Sequence, residues 1–390
     1  MNLVGAVRKK FIQLFREDPL LVRSPGRVNL LGEHTDYNMG FVLPAAIDKA
    51  MYFAVTPRSD SQCEAFALDV NQSCRFTIDN LWSSRQRWPN YLMGVVDQFT
   101  RGGLPIKGFN CVFGGDIPIG AGMSSSAALE TGLAFALNAL YCLGLDKLSL
   151  VKLAQRAENE FVGVRCGIMD QYVNMFGERN NVLRIDCRSL ESSCFPFTHD
   201  VSLVLFDTRV SHSLASTEYN RRREECGEGV DILRRAYPAV THLRDVSPDM
   251  LERCKHEFPG VIYRRCSYVI EENERVLRAC QALEREDIQA FGLLMRETHE
   301  GLRRDYEVSC EELDYLVELT RDNPCVYGSR LMGGGFGGCT INLIRKDAIR
   351  HVSETVALGY AGKFGVEPKI YVTSINSGTS TISVDEHATA

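Results

Sequence analysis

Pro118-Ile-Gly-Ala-Gly-Met-Ser-Ser-Ser-Ala-Ala128 joins an apolar run, Lys107 to Phe113, to a segment in which Leu129, Leu133, Ala136, Leu137 and Leu140 recur at i, i+4, i+7, i+8 and i+11. The run reads as a strand and the recurrence as one face of a helix. Two glycines and three hydroxyls therefore fall where a helix begins. There the leading backbone N–H groups lack intrahelical partners and the dipole is positive, while Gly120 and Gly122 let the backbone approach an anion without a Cβ in the way. Such a turn predicts a polyphosphate cradle. Its plainer alternative is that Ser124, Ser125 and Ser126 only cap the helix. It is not the triphosphate loop that ends in Gly-Lys-Ser or Gly-Lys-Thr, because no such lysine follows Gly122.

Upstream, Gly26-Arg27-Val28-Asn29-Leu30-Leu31-Gly32-Glu33-His34-Thr35-Asp36-Tyr37-Asn38 sets a cation, two carboxylates, an imidazole and several amides between two apolar runs. Glu33 and Asp36 can accept hydrogen bonds from vicinal hydroxyls, as a sugar site requires, and Arg27 can sit beside a transferring phosphoryl group. A solvated turn closed by Asp36 and Asn38 is the simpler reading. A metal cluster of Glu33, His34 and Asp36 is a third, which the eight scattered histidines and the lack of a Cys-x-x-Cys pair do not support.

The stretch from Gly26 to Asn38 closely resembles the signature of galactokinases, members of the GHMP small-molecule kinase superfamily. The serine loop resembles the superfamily's second motif, and Gly333-Gly-Gly-Phe-Gly-Gly-Cys339 its third. Cys166-Gly-Ile-Met-Asp-Gln171 and His212-Ser-Leu-Ala-Ser-Thr-Glu-Tyr-Asn-Arg-Arg-Arg223 are similar to two further family segments, so the matches run in family order across residues 24–339. The resemblance implies an α+β fold of two domains with the active site in the cleft between them. It also implies transfer of the γ-phosphoryl group of MgATP to the C1 hydroxyl of galactose. Asp170 would face that hydroxyl, with Arg27 nearby, and Glu33, His34, Asp36, Gly167 and Tyr219 would hold the sugar. Gly120, Ala121, Gly122, Met123, Ser124, Ser125 and Ser126 would meet ATP, Trp88 would flank the adenine, and Ser126 and Glu158 would hold Mg2+. Two relatives in this neighbourhood set the alternatives: a kinase for N-acetylgalactosamine or another sugar, and a catalytically silent sugar sensor, whose serine-loop lesion this chain lacks. At one position the chain departs from the family, with Met332 where Arg-Met-Thr ends in threonine.

Composition agrees with this frame. With 390 residues, 45% apolar and 24% charged, the chain is long enough for two domains, divided here as 1–190, with the sugar signature and phosphate loop, and 191–390, with the third motif. A net charge of -6 argues against a nucleic-acid or anionic-membrane partner, and Arg221-Arg222-Arg223 runs straight into Glu224-Glu225, as on a helix face. No apolar stretch nears the roughly 18 residues of a membrane span, and Arg8-Lys9-Lys10 interrupts the first apolar residues. Fourteen irregularly spaced cysteines read as reduced thiols. The expectation is a cytoplasmic monomer whose partners are small molecules. Cys166 has no neighbouring histidine and reads as a small buried thiol rather than a nucleophile.

Local patterns supply the rest. Gly333, Gly335 and Gly338 satisfy G-x-G-x-x-G, but Cys339 to Ile344 continues as an apolar strand rather than a helix, which disfavours a dinucleotide site. Glu158 falls on the apolar stripe of Leu150, Leu153, Ala154, Ala157 and Phe161, so a buried cation, either a protein base or a divalent metal, must lie beside it. Asp170 follows breaks at Gly163 and Gly167 and opens a helix through Phe176, where the dipole favours its charge. Helices are expected around 221–235 and 267–303, a strand at Val201 to Phe206, and a fraying polar tail from about Gly378.

Overall fold

The computed structural model describes residues 3–118, 120–197, 200–211 and 215–383. The long strands Leu20–Asn29 and Pro44–Pro57 pair antiparallel, and both are buried along most of their length. Such near-continuous burial requires cover on two faces. One face carries the helix Leu3–Phe15, whose Val7 and Phe11 pack on Leu21, Ala54 and Val112. The other carries the helix Ser125–Leu140, where Gly132 allows the closest approach: a Cβ there would collide with the Phe53 ring. The full sheet runs Ser380–Thr381, Leu20–Asn29, Pro44–Pro57, Phe109–Gly115, Gln62–Ala67 and Gln72–Thr77 in spatial order, with one parallel pair, between Gln62–Ala67 and Phe109–Gly115.

A second, antiparallel sheet orders Val326–Leu331, Gly337–Arg345, Val201–Ser211 and Lys369–Thr373. Helices Gly260–Glu284, Ile288–Arg304, Glu311–Arg321 and Ile349–Phe364 belong to this half. A three-stranded sheet of Phe41–Val42, Asn181–Asp186 and Ser192–Pro196 completes the strands. The largest core cluster runs through both halves, from Val22 and Leu133 to Phe291, Ile341 and Leu343. This is the two-domain α+β fold that the motifs imply.

The strand after the third glycine motif is present as Gly337–Arg345, so that run opens no helix. The expected helix over 267–303 is two helices. Glu286 adopts φ 56°, and the Asp287 side chain accepts the N–H of Ala290 at 2.9 Å, which caps a new start. The tail from Gly378 does not fray where it is described. The Thr379 N–H donates to Asn174 O at 2.8 Å, its hydroxyl donates to Asn174 Oδ1 at 2.6 Å, and the Ile382 N–H donates to Leu21 O at 2.9 Å. A polar composition suggested solvent, but Thr379 is 3% exposed because Ser24 and Asn174 meet its polar groups beneath the sheet. Residues 384–390 lie outside the described residues, and no helix among the described ones is long and apolar enough to cross a membrane.

Candidate active site

The phosphate loop leaves the strand Phe109–Gly115 and turns through Gly120 and Gly122, at φ 80° and 74°, before Ser124, itself left-handed at φ 54°, starts the helix Ser125–Leu140. Ser124 does not cap that helix with its side chain. Its hydroxyl instead donates to Asp170 Oδ2, and the Ser126 hydroxyl meets Glu158. The leading N–H groups thus keep their capacity for an anion, and the capping alternative fails for Ser124. Ala121 and Met123 turn their side chains into the core at 0% and 1% exposure, so these two positions offer a ligand only backbone. Ile119 lies outside the described residues.

Asp170 sits in the first turn of the helix Met169–Phe176, and Arg27 emerges from the strand Leu20–Asn29. The two form a bidentate pair: Nε donates to Oδ1 and Nη2 to Oδ2, each at 2.7 Å. Arg27 also donates to Gly122 O, which fastens the phosphate loop to the pair. A carboxylate offers about four lone-pair sites. Oδ2 uses both of its own on Arg27 and Ser124, and Oδ1 uses one on Arg27, which leaves one site on Oδ1 for a hydroxyl donor.

The sugar signature folds as a tight loop after the same strand. Glu33 Oε1 accepts from Arg330 Nη2 at 2.9 Å and from the Gly333 N–H at 2.8 Å. Burial alone would raise this carboxyl, but Arg330, Arg27 and the Gly333 N–H together hold it below its ordinary value. Burial lowers His34 to about 4, so its ring is neutral; Nδ1 lies 2.8 Å from Tyr37 Oη, which in turn meets Tyr306 Oη at 2.7 Å. Asp36 is pushed up to about 7 by burial and by Asp170, although the Tyr37 N–H opposes the rise. A Cβ at Gly167 would overlap the Asp36 carboxylate, so glycine there lets the two segments touch. Helix Gly260–Glu284 holds the signature from behind: Tyr268 donates to Glu33 O at 3.0 Å, and Glu272 accepts the Gly32 N–H at 2.7 Å. Glu33, His34 and Asp36 thus form no metal cluster: Glu33 is committed to Arg330 and Gly333, His34 to the Tyr37 hydroxyl and Asp36 to the Tyr37 N–H.

Arg27, Glu33, His34, Asp36, Glu158, Gly167, Asp170 and Tyr219 line one cavity of ≈ 300 Å³, floored by Gly333 to Phe336. The third glycine motif also abuts the phosphate loop, since a Cβ at Gly333 would sit 3.7 Å from Gly122. Met332 packs there with 1% exposure and presents no hydroxyl. Trp88 lies outside the cavity, edge-on to Phe113 at 5.4 Å, with its Nε1–H on Gln72 at 3.0 Å. His212 to Leu214 of the fourth segment fall outside the described residues. Cys166 lines the cavity rather than the core, and burial raises its thiol well above the ordinary value, which keeps it un-ionised.

Glu158 occupies a π turn, Ala157–Val162, with 6% exposure. Of the two cations the sequence allows beside it, a protein base is absent among the described residues. Gln171 Nε2 donates to it at 2.7 Å and the Cys166 thiol at 3.3 Å, and burial still raises it. Beside it lies a second carboxylate, Glu130, at 0% exposure, raised well above its ordinary value by burial and by Glu158. One hydroxyl and one carboxylate at the cleft, without a protein cation, suit a hard divalent ion that keeps waters and phosphate oxygens as ligands. Among the described residues, no three His, Cys, Asp or Glu side chains could hold a metal by themselves.

Sequence reasoning missed Arg330 and Glu130. Arg330 is fully buried, donates to Leu30 O at 2.8 Å and to Asn29 O, and ties the signature to the second sheet. Its only sequence signal is a basic residue inside an apolar strand, and Glu130's is an acid on a helix stripe.

The comparisons with known proteins fall on these same segments. The galactokinase galactose-binding signature matches residues 9–57, the GHMP kinase N-terminal domain 90–178 and the GHMP kinase C-terminal domain 279–361. The galactokinase of Roseiflexus sp. is 42% identical over 97% of each chain, and that of Chloroflexus aggregans 41% identical over 98% of this chain and 99% of its own. The crystal structure of Lactococcus lactis galactokinase complexed with galactose superposes with a TM-score of 0.94 at 30% identity, covering 98% of this chain and 100% of that one. By sequence over nearly its whole length, and by fold, the chain belongs to the galactokinase family of GHMP kinases.

Proposed function

We propose that this chain transfers the γ-phosphoryl group of ATP to the C1 hydroxyl of α-D-galactose, giving galactose 1-phosphate and ADP. One observation carries the reading: the residues of the galactokinase signature, Arg27, Glu33, His34 and Asp36, are the walls of the cavity into which Asp170 faces. The open site on Asp170 Oδ1 accepts the C1 hydroxyl and orients it. Because phosphoryl transfer asks little of a base until late, Asp170 takes the proton as the new bond forms. Arg27 neutralises charge near the transferred group and, through Gly122 O, keeps the loop in register with the nucleophile. Glu33, Asp36, Gly167, His34 and Tyr219 hold the sugar. The loop from Gly120 to Ser126 cradles the phosphates, and Trp88 flanks the base. Ser126 and Glu158 would hold Mg2+, which neutralises phosphate charge when bound.

The reading includes a division near residue 190, a monomer with small-molecule partners only, and a cytoplasmic setting, supported by fourteen free cysteines and a net charge of -6. ADP release from purified protein with MgATP and galactose, N-acetylgalactosamine, glucose, arabinose and galacturonate tests it. Galactose-dependent release is expected. Turnover only with another sugar moves the specificity, and galactose binding without turnover overturns the enzymatic reading.

A further inference from the structure

Glu130 has no part in the mechanism above, yet its placement is costly. It lies one helical turn beyond Ser126 on Ser125–Leu140, with no exposed surface, and Glu158 meets it from the π turn. Gln171, next to Asp170, bridges the two: Nε2 donates to Glu158 Oε2 at 2.7 Å and reaches Glu130 Oε2 at 3.5 Å. Two acceptors at this spot, Glu130 Oε1 and Gln171 Oε1, are buried with no hydrogen-bond partner, and both side chains are 0% exposed. Among the described residues, no Arg, Lys or His pairs with either carboxylate. An amide can donate but supplies no charge, so the cluster holds more acceptors than donors in a low-dielectric place. Such a cluster is retained at a large cost unless a proton or a cation completes it.

We propose that Glu130 is a positioning residue for the divalent cation: its carboxyl, one turn beyond Ser126 and joined to Glu158 through Gln171, sets how the Glu158 carboxylate is held and so how tightly the cation is bound at Ser126 and Glu158. This rests on the Mg2+ reading of those two residues. Outer partners of metal ligands act in this way, through orientation and charge rather than contact, and their loss costs roughly 10–100-fold in metal affinity.

The test uses Mn2+ as the probe, titrated into the full chain saturated with ADP, with free Mn2+ read by electron paramagnetic resonance. Glu130→Gln keeps the shape and removes the ionisable carboxyl, so Mn2+ affinity should fall roughly 10-fold or more. Glu130→Asp keeps the carboxyl and should retain affinity within a few-fold. Galactose affinity, measured alongside, should be unchanged in both and reports that each variant is folded. Equal Mn2+ affinity for wild type and Glu130→Gln, or an equal loss in the Gln and Asp variants, overturns the role of Glu130. Glu158→Gln separates the two levels: if it leaves Mn2+ affinity untouched, the metal reading itself falls, whereas loss there with none in Glu130→Gln removes Glu130 alone.

Discussion

Asp170 shows how one residue can be read both structurally and chemically. A first-turn aspartate complements a helix dipole in any protein, but this one is also clasped by Arg27 at 2.7 Å through both oxygens and by Ser124. Asp170→Asn keeps the shape and loses the charge that orients the hydroxyl. Turnover should fall on the order of 10²–10⁴-fold, while galactose affinity by calorimetry stays within a few-fold; near-normal ADP release in that variant would remove Asp170 from the chemistry. Asp36 makes a prediction about pH. Its folded-state value, about 7 against an ordinary 3.8, is raised by burial, Asp170 and Glu33, and opposed by the Tyr37 N–H and Arg223. The folded protein therefore keeps a proton that the unfolded chain releases. The stability from Asp36 is complete below its ordinary value and is lost as pH rises through about 7. Asp36→Asn should remove this dependence: its melting temperature should exceed wild type at about pH 8 and converge with it at about pH 4. A difference independent of pH would contradict the sign. At this scale the sequence was most legible, because the chemistry-bearing residues cluster in short motifs whose types already imply hydroxyl and phosphate partners.

Elements were legible where periodicity was local. The strand-to-helix turn at the serine loop, the helix opened by Asp170 and the strand after the third glycine motif all follow from short-range patterns. The break at Glu286 and Asp287 did not, because the apolar face continues across it while one left-handed residue and one cap reset the axis. Arg330 was hidden for a different reason: its Glu33 partner is 297 residues away, and no window contains both. Its guanidinium spans Asn29 O, Leu30 O and Glu33 from the strand Val326–Leu331, joining the ends of two sheets. Removing one partner of a buried pair strands the other charge. Arg330→Met should therefore destabilise by about 3–5 kcal/mol in denaturant unfolding. Arg330→Lys should recover only part, since a point charge cannot reproduce the planar fork. If Glu33→Gln combined with Arg330→Met were no more stable than Arg330→Met alone, the pair would not be the cause.

At the scale of the molecule, the two motif-bearing halves were readable but their interdependence was not. Hydrophobic periodicity assigns faces to elements, yet it does not say that Val22, Leu133, Phe291 and Leu343 belong to one continuous core. Nor does a polar tail announce that it returns to the first sheet. Gly378 to Ile382 closes against Gly177, Asn174 and Leu21, and Thr379 completes a buried cluster with Ser24 and Asn174 that would otherwise hold unsatisfied groups. The cleft lies between segments that share this core, so opening one half should loosen the other. The full chain is expected to unfold in one calorimetric transition, which galactose raises as a whole, because the ligand binds only the assembled walls. A chain ended at Asn376 loses the Gly378, Thr379 and Ile382 backbone bonds, the Ser380–Thr381 pairing with Leu20–Asn29 and the Thr379 hydroxyl bonds, and leaves Asn174 under-satisfied, a loss of at least about 3 kcal/mol. Its single transition should move to lower temperature, with galactose still bound below it. An unchanged midpoint would show that the tail only rests on the sheet; two separated transitions, with galactose moving only one, would show that the halves fold independently despite their common core.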